Sequence, residues 1–160
     1  MEYDHDVRQR LVYTLKGKGA HLDYESVLVD FPAKYRGKTF PGLPYTAWQL
    51  LEHLRLAQWD ILEFSKDEKH VSPKWPEGYW PPETTPPDEL AWDNSVNKFL
   101  TDLKSLQELV SDPDTNLYQK IPHGSGQNIL REAILVIDHN AYHLGQMVML
   151  RKIFENATHA

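Results

Sequence analysis

The chain has 160 residues, of which 17 are lysine or arginine and 23 are aspartate or glutamate, so its formal net charge at pH 7 is −6. This length is sufficient for one domain with a real hydrophobic core, and an acidic chain without a basic run is a poor partner for nucleic acid. Cysteine is absent, which excludes disulfides, cysteine-ligated zinc and a thiol nucleophile that belongs to the protein itself.

The N-terminal segment MEYDHDVRQR is charged and has no apolar region of the kind found in signal peptides. No apolar run along the chain approaches the roughly 18–20 residues that a membrane-spanning helix requires. We therefore expect a soluble cytoplasmic protein that has no membrane partner.

The first predicted elements are two helices and a loop. Residues 4–17 carry apolar side chains four residues apart, which predicts an amphipathic helix that ends at a glycine. A shorter helix is predicted over residues 22–31, where Asp23 would cap the N-terminus and the following proline would end the helix. Three prolines and two glycines in residues 32–44 indicate a loop.

The second long helix is predicted over residues 46–64, TAWQLLEHLRLAQWDILEF. Thr46 and Gln49 have the spacing of a capping box, in which each side chain accepts a hydrogen bond from the other residue's backbone N–H. His53 lies within the stripe of apolar residues that this helix would turn towards the core. The stripe consists of Leu50, Leu54, Ala57, Ile61 and Phe64.

Residues 66–87, KDEKHVSPKWPEGYWPPETTPP, combine six prolines with three large aromatic side chains. This density of proline disfavours both a helix and a central strand. Trp75, Tyr79 and Trp80 argue against disorder, because disordered segments contain few aromatic residues. We expect an ordered loop that packs on the domain, where its aromatic residues form either a lid over a cavity or an interface with another chain.

Two further long helices complete the predicted fold. Residues 88–110 repeat apolar side chains at steps of three and four, and residues 111–126 are rich in turn-forming residues. The last helix runs from about residue 127 to residue 154 and is apolar on more than one side, so it should contact more than one neighbour. Four long helices without a strand pattern predict an all-α four-helix bundle with long connections, formed by residues 1–160 as a single domain.

The last helix contains the sequence DHNAYH, in which His139 and His143 stand four residues apart. Residues at this spacing lie one above the other on a helix, so the two imidazoles can reach a common point. The pair also borders the apolar arc of the helix, where both rings would be at least partly buried. Buried imidazoles require partners, which could be a metal ion or else waters, backbone carbonyls or a carboxylate such as Glu132.

His53 provides a third imidazole from the apolar stripe of another helix, a position at which leucine would be the ordinary residue. Helical bundles build metal sites from side chains that face one another across the core. A site with three histidine ligands leaves a fourth position open, as catalytic zinc sites do. The residues therefore support two interpretations: a divalent metal held by His53, His139 and His143, or three core histidines that are only hydrogen-bonded.

Other polar residues are weaker candidates for this site. Five further histidines are expected to be solvated: His5, His21, His70, His123 and His159. Of these, His123 could still approach the site from the turn before the last helix. Glu52 and Asp138 are each adjacent to a predicted ligand, but neighbours on a helix point about 100° apart, so both carboxylates are expected to be solvated. Tyr142 and Gln146 lie near the site and either contact substrate or contribute only packing.

The motif WQLLEHLRLAQWDI in the second long helix, joined to DHNAYHLGQMVMLR in the last one, resembles the DinB superfamily. The resemblance extends over nearly the whole chain, including the order of the helices and the position of the long connections. It implies a four-helix bundle with a divalent metal, commonly zinc or nickel, and frequent homodimers. Carried over residue by residue, the metal-binding histidines of the family fall on His53, His139 and His143. The loop 66–87 is not part of the motif.

Several branches of this family are transferases or isomerases that use low-molecular-weight thiols, so the resemblance implies a metal-dependent transferase that acts on a small-molecule substrate. With no cysteine in the chain, the metal or the cosubstrate would have to bring in the nucleophile. A metal-dependent hydrolase fits the same residues equally well. A non-catalytic alternative is a dimeric binding or stress-response protein with a structural metal. A fourth protein ligand would favour that alternative, whereas an open site lined by a pocket would favour an enzyme.

Overall fold

The computed structural model describes residues 2–157, and within that range the chain forms helices without any strand of a sheet. The helices are α1 (Glu2–Leu15), α2 (Tyr24–Leu28), α3 (Ala47–Lys66), α4 (Ala91–Ser111) and α5 (Ile129–Ala157). Two short 3-10 turns, Ala33–Tyr35 and Glu77–Tyr79, lie in the connections. The prediction of an all-α fold is confirmed.

The four long helices pack around a common core. α3 and α1 both lie against α4 and α5, so these two helices separate α1 from α3. The apolar stripe predicted for the third long helix is buried along its whole length: Trp92, Val96, Phe99, Leu103, Leu106 and Val110. None of the helices within the described range combines the length and the apolar character that crossing a bilayer requires.

α2 is shorter than the helix predicted over residues 22–31. Its N-terminus is as predicted, because the Asp23 side chain accepts a hydrogen bond from the Ser26 N–H over 2.8 Å. The helix ends at Leu28, whose carbonyl would next accept from residue 32, and that residue is a proline without an N–H. The indole of Trp92 donates to this carbonyl instead, over 2.9 Å.

The other helix boundaries differ from the predictions by three residues or fewer. α3 begins with the predicted capping box, since both hydrogen bonds between Thr46 and Gln49 are present. α5 begins at Ile129, two residues later than predicted, because the Asn128 side chain accepts a hydrogen bond from the Arg131 N–H over 2.8 Å, as an N-cap does.

Two buried amides connect three of the helices near the middle of the bundle. Asn140 on α5 donates from Nδ2 to Oε1 of Gln58 on α3 over 2.8 Å. Gln58 in turn donates from Nε2 to the carbonyl of Phe99 on α4 over 2.7 Å. Both amide residues are almost completely buried. Because hydrogen bonds are directional, this chain fixes the position of α3 along α5, and with it the relative position of side chains on those two helices.

Candidate metal centre

Three histidines from α3 and α5 come together where these helices face each other. His53 lies on α3, and His139 and His143 occupy successive turns of α5. His53 is 3% exposed, His143 is 7% exposed and His139 is half-buried. The ring centroids are 4.9 Å apart for His53 and His139, 4.7 Å for His53 and His143, and 4.6 Å for His139 and His143. The rings form a triangle with nearly equal sides.

The nitrogens of these rings are close enough to share one metal ion. One ring nitrogen from each histidine can be chosen so that all three lie within 4.8 Å of one another. Nε2 of His53 and Nε2 of His139 are 3.1 Å apart. Two imidazole nitrogens bound tetrahedrally to zinc at about 2.05 Å are separated by about 3.3 Å. The same contact also allows an N–H···N hydrogen bond, so it suits both of the interpretations that the sequence supports.

In two of the rings, Nδ1 is hydrogen-bonded to an oxygen of the protein. Nδ1 of His53 donates to the backbone carbonyl of Tyr79 over 3.0 Å. Nδ1 of His143 lies 2.7 Å from Oε1 of Gln146, which can only accept, so this nitrogen also donates. A neutral imidazole that carries its proton on Nδ1 presents a lone pair on Nε2. Metal-ligating histidines are held by the same kind of contact to a carbonyl or carboxylate.

Burial keeps these histidines neutral. Desolvation lowers the pKa of His53 to about 4, against the opposing effect of the hydrogen bond to Tyr79 and with a smaller further lowering by His143. Desolvation, with His143 and His53 nearby, lowers the pKa of His139 to about 4. Desolvation also lowers the pKa of His143. Neutral imidazole is the form that binds a metal, so the three residues could hold a metal ion at neutral pH.

The cluster has no further protein ligand among residues 2–157, since no fourth histidine, aspartate or glutamate joins it. Three neutral imidazoles form a donor set that suits zinc and nickel. A metal held only by them would keep an open position, as catalytic sites do. Among the described residues, the arrangement therefore lacks the fourth protein ligand that would favour a structural site.

The loop 66–87 runs antiparallel to α3 and is hydrogen-bonded to it near the start of the helix. Oγ1 of Thr46 donates to the carbonyl of Thr84 over 2.7 Å. One turn later, Nε2 of Gln49 donates to the carbonyl of Pro81 over 3.3 Å. The prediction of an ordered loop that packs on the domain is therefore confirmed.

The aromatic residues of the loop differ in what they cover. Trp80 stacks flat on His53, with ring centroids 3.9 Å apart and an interplanar angle of 7°. Its other face is covered by Tyr45, at 3.8 Å and 15°. Trp75 is 67% exposed. Trp80 therefore covers one ligand candidate directly, and the roles of lid over a cavity and of interface stay predictions.

Farther along α3, a carboxylate binds the same loop with both of its oxygens. Oδ2 of Asp60 accepts from the Tyr79 hydroxyl over 2.6 Å, and Oδ1 accepts from Nε2 of His70 over 2.7 Å. Tyr79 is 8% exposed, and burial together with Asp60 raises its pKa to about 12, so the hydroxyl stays protonated. Gly78 permits the tight turn before Tyr79, because a Cβ there would lie 2.6 Å from Cβ of Pro73.

Sequence reasoning did not identify this contact surface on α3. Its signal is a set of polar residues at steps of three, four and seven, which places them on one face of the helix. The four residues are Thr46, Gln49, His53 and Asp60. Each of them bonds to the loop. A stripe of polar residues along the predicted helix could therefore have shown which face of the helix the proline-rich loop covers.

Two residues expected to be solvated have side chains that are largely covered. The side chain of His70 is only 8% exposed, because Asp60 binds it and Trp59 packs against it with the two rings nearly perpendicular. Glu52 is 9% exposed and accepts hydrogen bonds from Arg55 and from Ser95 of α4. Both expectations were wrong because helix position alone does not reveal what a neighbouring segment places over a polar side chain.

The remaining candidates lie as follows. His123 is exposed and donates to the carbonyl of Phe64, eleven residues and roughly 16 Å along α3 from His53, so it does not approach the cluster. His5, His21 and Asp138 are exposed, as expected. His159 lies outside the described residues.

One exposed aromatic side chain of α5 borders the cluster. Tyr142 is 65% exposed, and its ring meets the ring of His143 edge-on at 4.9 Å. Two open grooves of about 620 Å³ and 760 Å³ occupy other faces of the molecule, and none of the three histidines lines them. The candidate metal centre is therefore separate from both grooves.

A family model described as the DinB superfamily matches residues 18–147. This range contains α2 to α4, the loop 66–87 and the part of α5 that carries both of its site histidines. No curated protein and no solved structure matches the chain.

Proposed function

The chain belongs to the DinB superfamily, and we propose that it is a metal-dependent enzyme that transfers a low-molecular-weight thiol to a small-molecule electrophile. One observation carries the metal-binding part of the proposal, and the thiol transfer is supported by the family. His53 and His143 each donate from Nδ1 to a protein acceptor, which leaves Nε2 with a lone pair, and one nitrogen from each of the three rings lies within 4.8 Å of the others. Three core histidines that were only hydrogen-bonded to one another would not need this shared orientation.

In this proposal, His53, His139 and His143 hold one divalent ion, zinc or nickel, within a single domain. The donor set supports this choice, because imidazole nitrogens bind both ions well. The low pKa values of His53 and His139 support it too, since the ion does not have to displace protons at neutral pH. The open fourth position is where a cosubstrate would bind.

When bound, such an ion supplies Lewis acidity that lowers the pKa of a thiol in the open position. The protein itself orients the imidazole rings and excludes water from part of the centre. Trp80 excludes water from one face of His53, and Gln146 and Tyr79 keep the proton of each ring on Nδ1. In the transfer, the sulfur forms a bond to an electrophilic carbon, the leaving group departs with the electron pair of its own bond, and the thiol proton goes to solvent.

The proposal is tested with a series of small thiols and an aryl halide whose conjugate absorbs light. Metal-loaded wild type should accelerate conjugation, and the rate should depend on thiol concentration and disappear in His139→Ala. His123→Ala is the matched control, because His123 is a histidine outside the cluster. Metal-dependent ester hydrolysis without any thiol dependence would instead establish the hydrolase. Bound metal without turnover in either assay would support the non-catalytic alternative.

We also propose that the protein is a homodimer. Three large apolar side chains in the loop and at the start of α4 support this, because they are 67–84% exposed: Val71, Trp75 and Leu90. Large exposed apolar patches are common at subunit contacts. Sedimentation of wild type and of Trp75→Ser tests the proposal, and a monomeric wild type would contradict it.

A further inference from the structure

We infer that Asp60 is a positioning residue for the three-histidine centre and acts through Tyr79. It would fix the carbonyl that orients the imidazole of His53, so that Nε2 points to His139 and His143. The consequence for metal affinity rests on the proposed function. The consequence for the orientation of His53 does not.

Asp60 is too far from the centre to contact it. Asp60 follows His53 by seven residues, which is two helical turns and roughly 10 Å along the axis of α3. At that spacing both side chains lie on the same face of the helix. A rigid link is therefore required between them, and it has to lie along that face.

Tyr79 provides this link because it contacts both residues with different atoms. Its backbone carbonyl accepts from Nδ1 of His53 over 3.0 Å. Its hydroxyl donates to Oδ2 of Asp60 over 2.6 Å. A residue held at its main chain and at the tip of its side chain cannot rotate away from the helix without breaking one of the two bonds.

Asp60 is itself fixed, so it can serve as the anchor. Nε2 of His70 donates to its second oxygen over 2.7 Å, and the side chain of Asp60 is only 13% exposed. The ring of His70 packs edge-on against Trp59, the residue before Asp60, at 5.2 Å. Hydrogen bonds to a carboxylate are among the strongest that a neutral donor makes. Each oxygen of Asp60 therefore binds a different residue of the loop, and together the two hydrogen bonds fix the position of the loop on α3.

The chemical effect of this anchor is the choice of tautomer at His53. A carbonyl can only accept, so it keeps the proton on Nδ1 and leaves the lone pair on Nε2. If the carbonyl drifts, His53 exchanges between its two tautomers and loses its orientation. Partners of this kind around metal-ligating histidines typically change metal affinity by about 10- to 100-fold when they are removed.

Two variants isolate the anchor. Tyr79→Phe removes only the hydroxyl and keeps the carbonyl, whereas Asp60→Leu removes both acceptor oxygens. Asp60→Asn is the conservative variant, because its amide can accept from Tyr79 and donate to His70. Tyr13→Phe, on the exposed face of α1, is the matched control. Far-UV circular dichroism establishes that each variant is folded, and Tyr79→Phe keeps the test valid if Asp60→Leu does not fold.

Two measurements decide the outcome. Long-range ¹H–¹⁵N spectra of the metal-free protein report the tautomer of His53, and competition with a chromophoric chelator reports the affinity for Zn²⁺. We expect a single Nδ1–H tautomer in wild type, a mixture in Tyr79→Phe and Asp60→Leu, and a loss of zinc affinity of about tenfold or more in both. Asp60→Asn should stay within about threefold of wild type, and Tyr13→Phe should match it.

The inference is overturned if His53 keeps its single tautomer in Tyr79→Phe, whether or not the affinity for zinc changes. It is also overturned if Asp60→Asn is as impaired as Asp60→Leu. A wild type that binds no zinc, but whose single tautomer is lost in Tyr79→Phe, would support the positioning role of Asp60 and remove the proposed function.

Discussion

The carbonyl of Tyr79 accepts a hydrogen bond from Nδ1 of His53, although 26 residues separate the two in the chain. This contact makes the proline-rich loop a part of the histidine centre. The loop also covers the ring of His53 with Trp80. Changes in the loop should therefore alter both the stability of the fold and the properties of the centre.

Trp80→Ala should destabilise the metal-free protein by about 2 kcal/mol, which is less than the 3–5 kcal/mol typical of a fully buried tryptophan, because Trp80 is half-buried. It removes the stack on His53 and on Tyr45. Urea unfolding in the presence of a chelator measures the free energy. Trp75→Ala is the control from the same loop, and its effect should stay near 0.5 kcal/mol because Trp75 is 67% exposed. Equal effects of the two variants would contradict the role assigned to Trp80.

Gln146→Leu should weaken zinc binding by about tenfold, because the leucine cannot accept the Nδ1 proton of His143. Gln146→Glu should preserve the affinity or increase it, since a carboxylate is a stronger acceptor. Competition with a chelator measures both. Gln107→Leu on α4 is the control. If Gln146→Leu bound zinc as tightly as wild type, Gln146 would contribute packing only.

The amides of Gln58 and Asn140 should be energetically coupled. Each of Gln58→Leu and Asn140→Leu leaves the other residue with an unpaired polar group in the core, at a cost of about 1–3 kcal/mol. The double variant should cost clearly less than the sum of the two, with a coupling of about 1 kcal/mol or more. Additive effects in urea unfolding would mean that this hydrogen bond does not hold α3 against α5.

The stability of the metal-free protein should fall as the pH is lowered from about 6.5 to about 4. The pKa of His53 and of His139 is about 4 in the folded chain and starts from 6.5, so in this range the unfolded chain binds more protons than the folded one. Urea midpoints between pH 7.5 and pH 4 measure the effect. The fall should be smaller in His139→Leu and unchanged in His5→Ala. An identical fall in wild type and His139→Leu would contradict this explanation.

Much of the fold follows from local patterns. Steps of three and four located all four long helices, and the Thr46–Gln49 pair fixed the start of α3. α2 ends early because Pro32 has no N–H for the Leu28 carbonyl, whereas the group that satisfies this carbonyl instead is the indole of Trp92, 64 residues away. A contact over that separation leaves no trace in the local pattern.

The sequence likewise predicted some features of the candidate site and not others. The spacing of His139 and His143 predicted their shared face, and the odd place of His53 in an apolar stripe suggested the third member. The sequence did not indicate that Tyr79 and Gln146 hold the ring protons, since one of these contacts uses a backbone carbonyl that any residue would offer. His70 and Glu52 were wrongly expected to be solvated for a related reason. Each is covered by a contact between two segments, and the sequence does not specify how those segments lie against each other.

The central claim, a metal held by three histidines, is tested most directly by the metal content per chain of untagged protein. We predict close to one equivalent of zinc or nickel in wild type and in the control His123→Ala. Each of His53→Ala, His139→Ala and His143→Ala should contain almost none. A wild type that stays free of metal after reconstitution with zinc or nickel would contradict the claim, and the three histidines would then be a hydrogen-bonded part of the core.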